Sequence, residues 1–199
     1  MRILIIGGHG TIGRVVATHY AEQHEVIIAG RSAEIKVDIA DSQSIKSMLE
    51  RVGPLDAIIC AAGEARWAPF ADLSEEDYYI GLRSKLMGQV NLVRLGQDYL
   101  TEGGSITLTT GILADDPVVK TASAAMVNGA VHSFVQAAAL ELPRGIRLNA
   151  VSSGVVEDAY EKYASYFPGH PPIAMQQMLY AYIRSVEGRG TGQVIRVYR

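Results

Sequence analysis

The chain has 199 residues, 48% of them hydrophobic, and a formal net charge of −3. That is enough for one α/β domain with a sizeable core, and the interspersed charges exclude a basic nucleic-acid surface. Apolar stretches of four to six residues fall far short of the ~20 that a membrane-spanning helix needs, and a single cysteine, Cys60, leaves no internal disulfide and points to a reducing, cytoplasmic setting.

Short β-branched runs alternate with longer helical patterns along the chain. Strands are expected at Arg2–Ile6, Glu25–Ala29, Ile35–Asp38, Ala57–Cys60, Ser105–Thr109, Arg147–Val151 and Val194–Val197. Several are continuously apolar, as parallel strands covered on both faces should be. Helices are expected at Thr11–Gln23, Ser42–Arg51, Ser74–Leu100, Ala122–Leu142 and roughly Pro172–Glu187, with Ser42 and Ser74 as N-caps. The opening MRILIIGGHG sets a charge before an apolar run, as a signal peptide does. The run is too short and passes into a glycine loop, so it reads as the first strand. This alternation predicts a doubly wound sheet of about seven parallel strands with helices on both faces. It reads as a single domain over residues 1–199, with a short lid or substrate segment at about 155–188 around the proline-rich YFPGHPP.

The stretch ILIIGGHGTIGRVV places Gly7, Gly10 and Gly13 three residues apart between a strand and a helix. Glycines are needed there for a tight turn, for approach of the backbone to a pyrophosphate and for close helix–strand packing, while the helix N-terminus offers amide donors. The pattern predicts a dinucleotide-binding Rossmann fold. At the end of the second strand, where an acid would bind a ribose 2′-hydroxyl, Arg31 and Ser32 stand instead. A cation beside a hydroxyl suits a 2′-phosphate, which favours NADP(H) over NAD(H). Asp38, closing the third strand, suits the adenine amino group or an ordinary helix cap.

With these pieces in place the chain resembles the short-chain dehydrogenase/reductase family over nearly its whole length. The resemblance is carried by GGHGTIG, VDI after the third strand, CAAG (Cys60–Gly63), LSEEDYYIGLRSKLMG, GSITLTTG, ALELPRGIRLNAVSSG and GTGQVIRV. It implies cofactor contacts from Gly7, His9, Gly10, Thr11, Ile12 and Gly13, from Arg31, Ser32 and Asp38, and from Ala61, Ala62, Gly63, Thr109, Ser153 and Gly154. It also implies a small carbonyl or alcohol substrate. A homodimer or homotetramer through the two long helices is implied as well, with neither nucleic acid nor membrane as partner.

The catalytic pattern of that family is absent. Its tyrosine and lysine lie four apart on one helix face, where the lysine lowers the tyrosine pKa. Counting without gaps, the tyrosine position falls on Ala124, the lysine on Asn128, the serine on Gly111 and the asparagine on Lys85. Lysine and asparagine have exchanged places, so Lys85 is expected to restore an ammonium that Asn128 hydrogen-bonds, or Asn128 to bond the cofactor. Thr110 would orient a carbonyl. Tyr160 is a candidate proton donor, with Tyr163 and Tyr166 nearby. Two readings follow: an oxidoreductase with a rearranged relay, or a catalytically inactive NADP(H)-binding sensor or regulatory protein.

Overall fold

The computed structural model describes residues 1–198. Its sheet has six parallel strands, β1 (Arg2–Ile6), β2 (Glu25–Ala29), β3 (Leu55–Cys60), β4 (Leu100–Gly111), β5 (Arg147–Ser153) and β6 (Val194–Arg196). They are ordered β2-β1-β3-β4-β5-β6, reversing beside β1. The strand expected at Ile35–Asp38 is reduced to a single bridge between Ala29 and Ile35. Its continuation is prevented locally. The Asp38 carboxylate accepts the Ala40 amide and the Asp38 carbonyl accepts that of Asp41, so the chain turns into the next helix rather than extending along β2.

Among the described residues there are seven α-helices: α1 (Thr11–Ala21), α2 (Ser42–Val52), α3 (Glu75–Gly81), α4 (Gly88–Gly96), α5 (Ala122–Ala138), α6 (Glu157–Tyr163) and α7 (Met175–Glu187). Strand side chains alternate with period two, and the core divides accordingly. Leu4, Ile6, Ile58, Cys60, Ile106, Leu108, Leu148 and Ala150 pack with residues of α2, α4 and α5. Ile3, Ile5, Ala57, Ile59 and Val151 pack with α1 and α7, including the fully buried Tyr20 and Tyr182. The segment expected as a lid is therefore two things. Residues around α6 lie over the end of the sheet, whereas α7 is a core helix.

Local caps explain where helices start. Asp41, not Ser42, caps α2 and accepts the Gln43 amide at 2.9 Å. Ser74 caps α3 as expected, in a reciprocal capping box in which Asp77 accepts the Ser74 amide at 3.0 Å. The long helix predicted over Ser74–Leu100 is interrupted by a π-helical turn at Leu82–Met87 between α3 and α4. Such a turn inserts one residue and redirects side chains, and it is common near functional sites.

Two polar devices fix the loops at the C-terminal ends of the strands. Gln89 on α4 is fully buried and donates from one nitrogen to the carbonyls of Ala62 (3.1 Å) and Thr109 (3.0 Å), tying the loop after β3 to β4. Asp115, just beyond β4, accepts from Arg196 at 2.5 Å and from the Tyr198 hydroxyl at 2.5 Å, tying β4 to the chain leaving β6. The Arg196 hydrogen bond holds the Asp115 carboxyl well below the usual carboxylate range. A carboxylate whose folded pKa is depressed adds stability above its unfolded pKa of ~3.9, and that stability is lost as pH falls through the acid range. Asp115→Asn is therefore expected to lower the melting temperature at pH 7 by roughly 3–6 °C, from the loss of about 1–2 kcal/mol in a domain of this size. The difference from wild type should narrow progressively as pH falls below ~3.9 toward the depressed folded value of Asp115; a difference that does not change across the acid range would assign the effect to packing.

Candidate functional site

The sheet ends at which Ile6, Ala29, Cys60, Gly111 and Ser153 emerge carry two cavities. The first, of about 510 Å³, is lined by Gly7, His9 and Gly10 after β1, Arg31 and Ser32 after β2, and Asp38. Ala61, Ala62, Gly63 and Glu64 after β3, with Arg83 and Ser84 of the π-turn, complete it. The second, of about 220 Å³, is lined by Ile12, Trp67, Gly111, Ile112 and Leu113, by Ser153–Val156, and by Ala159, Tyr163 and Phe167. The glycine loop and the start of α1 stand between them, with Gly7 and Gly10 facing one and Ile12 the other.

The cleft fits a dinucleotide on steric grounds. Gly7 has φ +83°, and a Cβ there would come within 2.9 Å of the Ala61 carbonyl. A Cβ at Gly13 would collide with the Gly7 carbonyl, so the helix can lie this close to the loop only without one. The N-cap of α1 is Gly10, which offers no capping side chain, and the first turn contains no acid. The first-turn amides and the positive end of the helix dipole are left for an anion. Asp38 lines the cleft with one carboxylate oxygen already taken by the Ala40 amide.

Lys85 lies in the π-turn, half-buried, with its aliphatic stem on Gly63: a Cβ at Gly63, whose φ is +135°, would come within 2.5 Å of the lysine Cδ. No hydrogen bond or ion pair engages the Lys85 ammonium among the described residues. Burial pushes its pKa down, opposed by the nearby Cys60, whose own thiol burial pushes up.

The expected bond between Lys85 and Asn128 is not made. Asn128 donates to the Ala124 carbonyl one turn back, at 2.7 Å, and accepts the Gly111 amide at 3.1 Å. Both functional ends of the amide are thereby drawn to α5 and the end of β4. Those two bonds join the positions where the family resemblance expects lysine, tyrosine and serine. The framework of the site is thus assembled, but its side chains are an amide, a methyl and a hydrogen.

Thr110 does not face either cavity. It lies on the α5 side of β4, where its hydroxyl shares a 2.8 Å hydrogen bond with Nε2 of the buried His132. Burial pushes the His132 pKa down, partly opposed by Asp115. Thr109 and Thr107 point the other way, sharing bonds with Tyr182 and Ser185 of α7, each at 2.6 Å. The Thr109 hydroxyl is therefore also committed to the core. Strand alternation decides all three, and Gly111 is the β4 position that borders the apolar chamber.

Tyr160 is likewise engaged elsewhere: its hydroxyl donates to the His170 carbonyl at 3.1 Å, closing the loop after α6. Tyr163, one turn further on, lines the chamber and packs against Trp67 with ring centroids 5.6 Å apart and planes tilted by 46°. Ser153 and Gly154 line it too, with the Ser153 hydroxyl donating to the Gly154 carbonyl. Gln89, Glu64, Arg83, Trp67 and Phe167 were missed by sequence reasoning. No local motif marks them, because each acquires its role from a partner more than fifteen residues away or from the shape of a cavity.

Comparison with known proteins agrees with this architecture. The family model described as enoyl-(acyl carrier protein) reductase matches residues 12–178. Glucose and ribitol dehydrogenase homolog 2 from Arabidopsis thaliana is 28% identical over 67% of this chain, and versicolorin reductase 1 from Dothistroma septosporum is 28% identical over 77%. The matches span 52% and 62% of those proteins' own lengths. The crystal structure of the protein lin1944 from Listeria innocua superposes with a TM-score of 0.97 at 47% identity, covering 100% of both chains. A small-chain dehydrogenase in complex with NADPH superposes with a TM-score of 0.88 at 29% identity, covering 99% of this chain and 96% of that one. The glycine loop between strand and helix, the parallel sheet and these matches agree: the chain belongs to the short-chain dehydrogenase/reductase family.

Proposed function

We propose that this chain is an NADP(H)-dependent oxidoreductase acting on a small carbonyl or alcohol substrate. The observation that carries the reading is a cleft lined by the glycine loop, Arg31 and Ser32, with an apolar chamber on the other side of the α1 start, where Ile12 lines it. The preference for the phosphorylated cofactor is supported by Arg31 and Ser32 in the cleft and by the relative solved with NADPH. When bound, such a cofactor supplies or accepts hydride, and the protein's part is orientation, exclusion of water and handling of the proton.

In this reading the α1 N-terminus and the glycine loop hold the pyrophosphate. The Lys85 side chain, packed on Gly63 and with no ammonium partner among the described residues, holds the ribose nearer the chamber. Asn128 keeps Gly111 and α5 in register and has no proton to exchange. Trp67, Leu113 and Phe167 exclude water from the reacting carbonyl. The proton is assigned to Tyr163, the titratable side chain among the residues that line the chamber. The segment around α6 acts as lid. We further propose a cytoplasmic homodimer or homotetramer, its interface including the exposed Ile80, Met87 and Met126. A light-scattering mass of 21.5 kDa, that of one chain, would refute the assembly.

Substitutions at two positions separate the roles. Tyr163→Phe is expected to lower kcat by roughly 10²-fold, the usual scale for losing general acid catalysis, while leaving NADPH affinity unchanged. Lys85→Met should do the opposite, weakening NADPH binding about tenfold, with Lys85→Arg restoring part of it. NADPH bound without turnover over a broad carbonyl and alcohol panel would instead favour the non-catalytic sensor. Failure to bind either nicotinamide cofactor would sink both readings.

A further inference from the structure

Arg31 and Glu64 reach toward each other across the mouth of the nucleotide cleft. Arg31 extends from the end of β2 and Glu64 from the loop after β3, and the guanidinium Nη2 contacts carboxylate Oε1 directly. Both side chains line the cleft, and both are largely exposed, at 71% and 53%. Their backbones differ in freedom. The Glu64 amide donates to the Ser84 hydroxyl at 3.1 Å, and Gly63 before it packs on the Lys85 stem, so the carboxylate projects from a fixed base. Among the described residues the Arg31 backbone is held through its carbonyl, which accepts from the Lys36 side chain at 3.2 Å. Arg83, the other cation lining the cleft, lies 3.9 Å from Glu76 and over the Tyr79 ring.

We infer that Glu64 is a specificity-determining residue of the cofactor cleft, a carboxylate that competes with a ribose 2′-phosphate for Arg31. This rests on the NADP(H) reading above. A phosphate on the 2′-oxygen and the Glu64 carboxylate both accept from the same guanidinium fork, and they repel each other. The phosphate therefore binds only by taking Arg31 from Glu64. A free 2′-hydroxyl needs no such exchange and can itself donate to a carboxylate. Glu64 thus narrows the gap between phosphorylated and unphosphorylated cofactor that Arg31 alone would open. Because the pair is exposed, the effect is modest and screened by salt.

The test is calorimetric titration of adenosine 2′,5′-bisphosphate and of 5′-AMP into the full chain at low ionic strength. Glu64→Gln, an exposed and nearly isosteric change, is expected to tighten the bisphosphate about three- to tenfold while leaving 5′-AMP within about twofold. In an Arg31→Met background the same substitution should have less than half that effect, the coupling expected of direct competition. High salt should erase most of the wild-type to Glu64→Gln difference. An unchanged bisphosphate affinity in Glu64→Gln, or an equal change for both ligands, overturns the inference, since Glu64 would then act on parts the two ligands share. A wild-type protein with no preference for the bisphosphate, unaltered by Arg31→Met, overturns the NADP(H) reading itself.

Discussion

The inner strands of a parallel sheet covered on both faces leave their side chains no freedom of direction: each must enter one helix layer or the other. In β4 this sends Thr107 and Thr109 to α7 and Thr110 to His132 on α5. Buried hydroxyls need partners, and all three have them. Chemistry can then be presented only where the strands end and alternation gives way to loops. Both cavities lie there, one on each side of the point where α1 begins. Gln89 and Asp115 matter for the same reason, because they fix the loops beyond the ladder's reach.

The family framework survives here without its usual acid–base side chains. Gly111, Ala124 and Asn128 are linked by two hydrogen bonds from one amide, and Ala124 is buried among Ile112, Leu113, Val155 and Phe167. A tyrosine at 124 would need space that this apolar cluster fills. The ionisable groups have moved outward, to Lys85 on the π-turn and to the tyrosines after β5. Burial lowers the Lys85 pKa, and its ammonium has no hydrogen-bond or ion-pair partner among the described residues. The packing of its stem on Gly63, a cleft-lining residue, is the observation behind reading Lys85 as part of a binding site.

Much of the fold was legible in the residues themselves. Apolar runs located β1 and β2 to the residue, and the glycine spacing located the nucleotide-binding turn. Ile35–Asp38 misled because its pattern suits a strand, while the side chain of Asp38 favours a turn. Ser42 misled because Asp41, one residue earlier, is an equally good cap and is better placed. The π-turn was invisible, since its extra residue leaves the helical composition of Ser74–Leu100 unaltered. Of the expected site, the cleft-lining residues His9, Arg31, Ser32, Asp38 and Ala61–Gly63 do line one cavity, whereas Thr110 and Tyr160 point elsewhere. The exchange of lysine and asparagine was visible in one dimension; that the two do not bond each other was not.

The sequence by itself determined the parallel α/β layering, the glycine turn, and the absence of any Tyr-x-x-x-Lys, because these depend on local pattern and composition. Only the tertiary structure decided which hydroxyls face the core, that Asn128 serves Gly111 rather than Lys85, and that Glu64 meets Arg31. The reason is that partners and facing directions are set by strand parity, by the extra residue of the π-turn and by loops converging from distant parts of the chain, none of which a local pattern encodes.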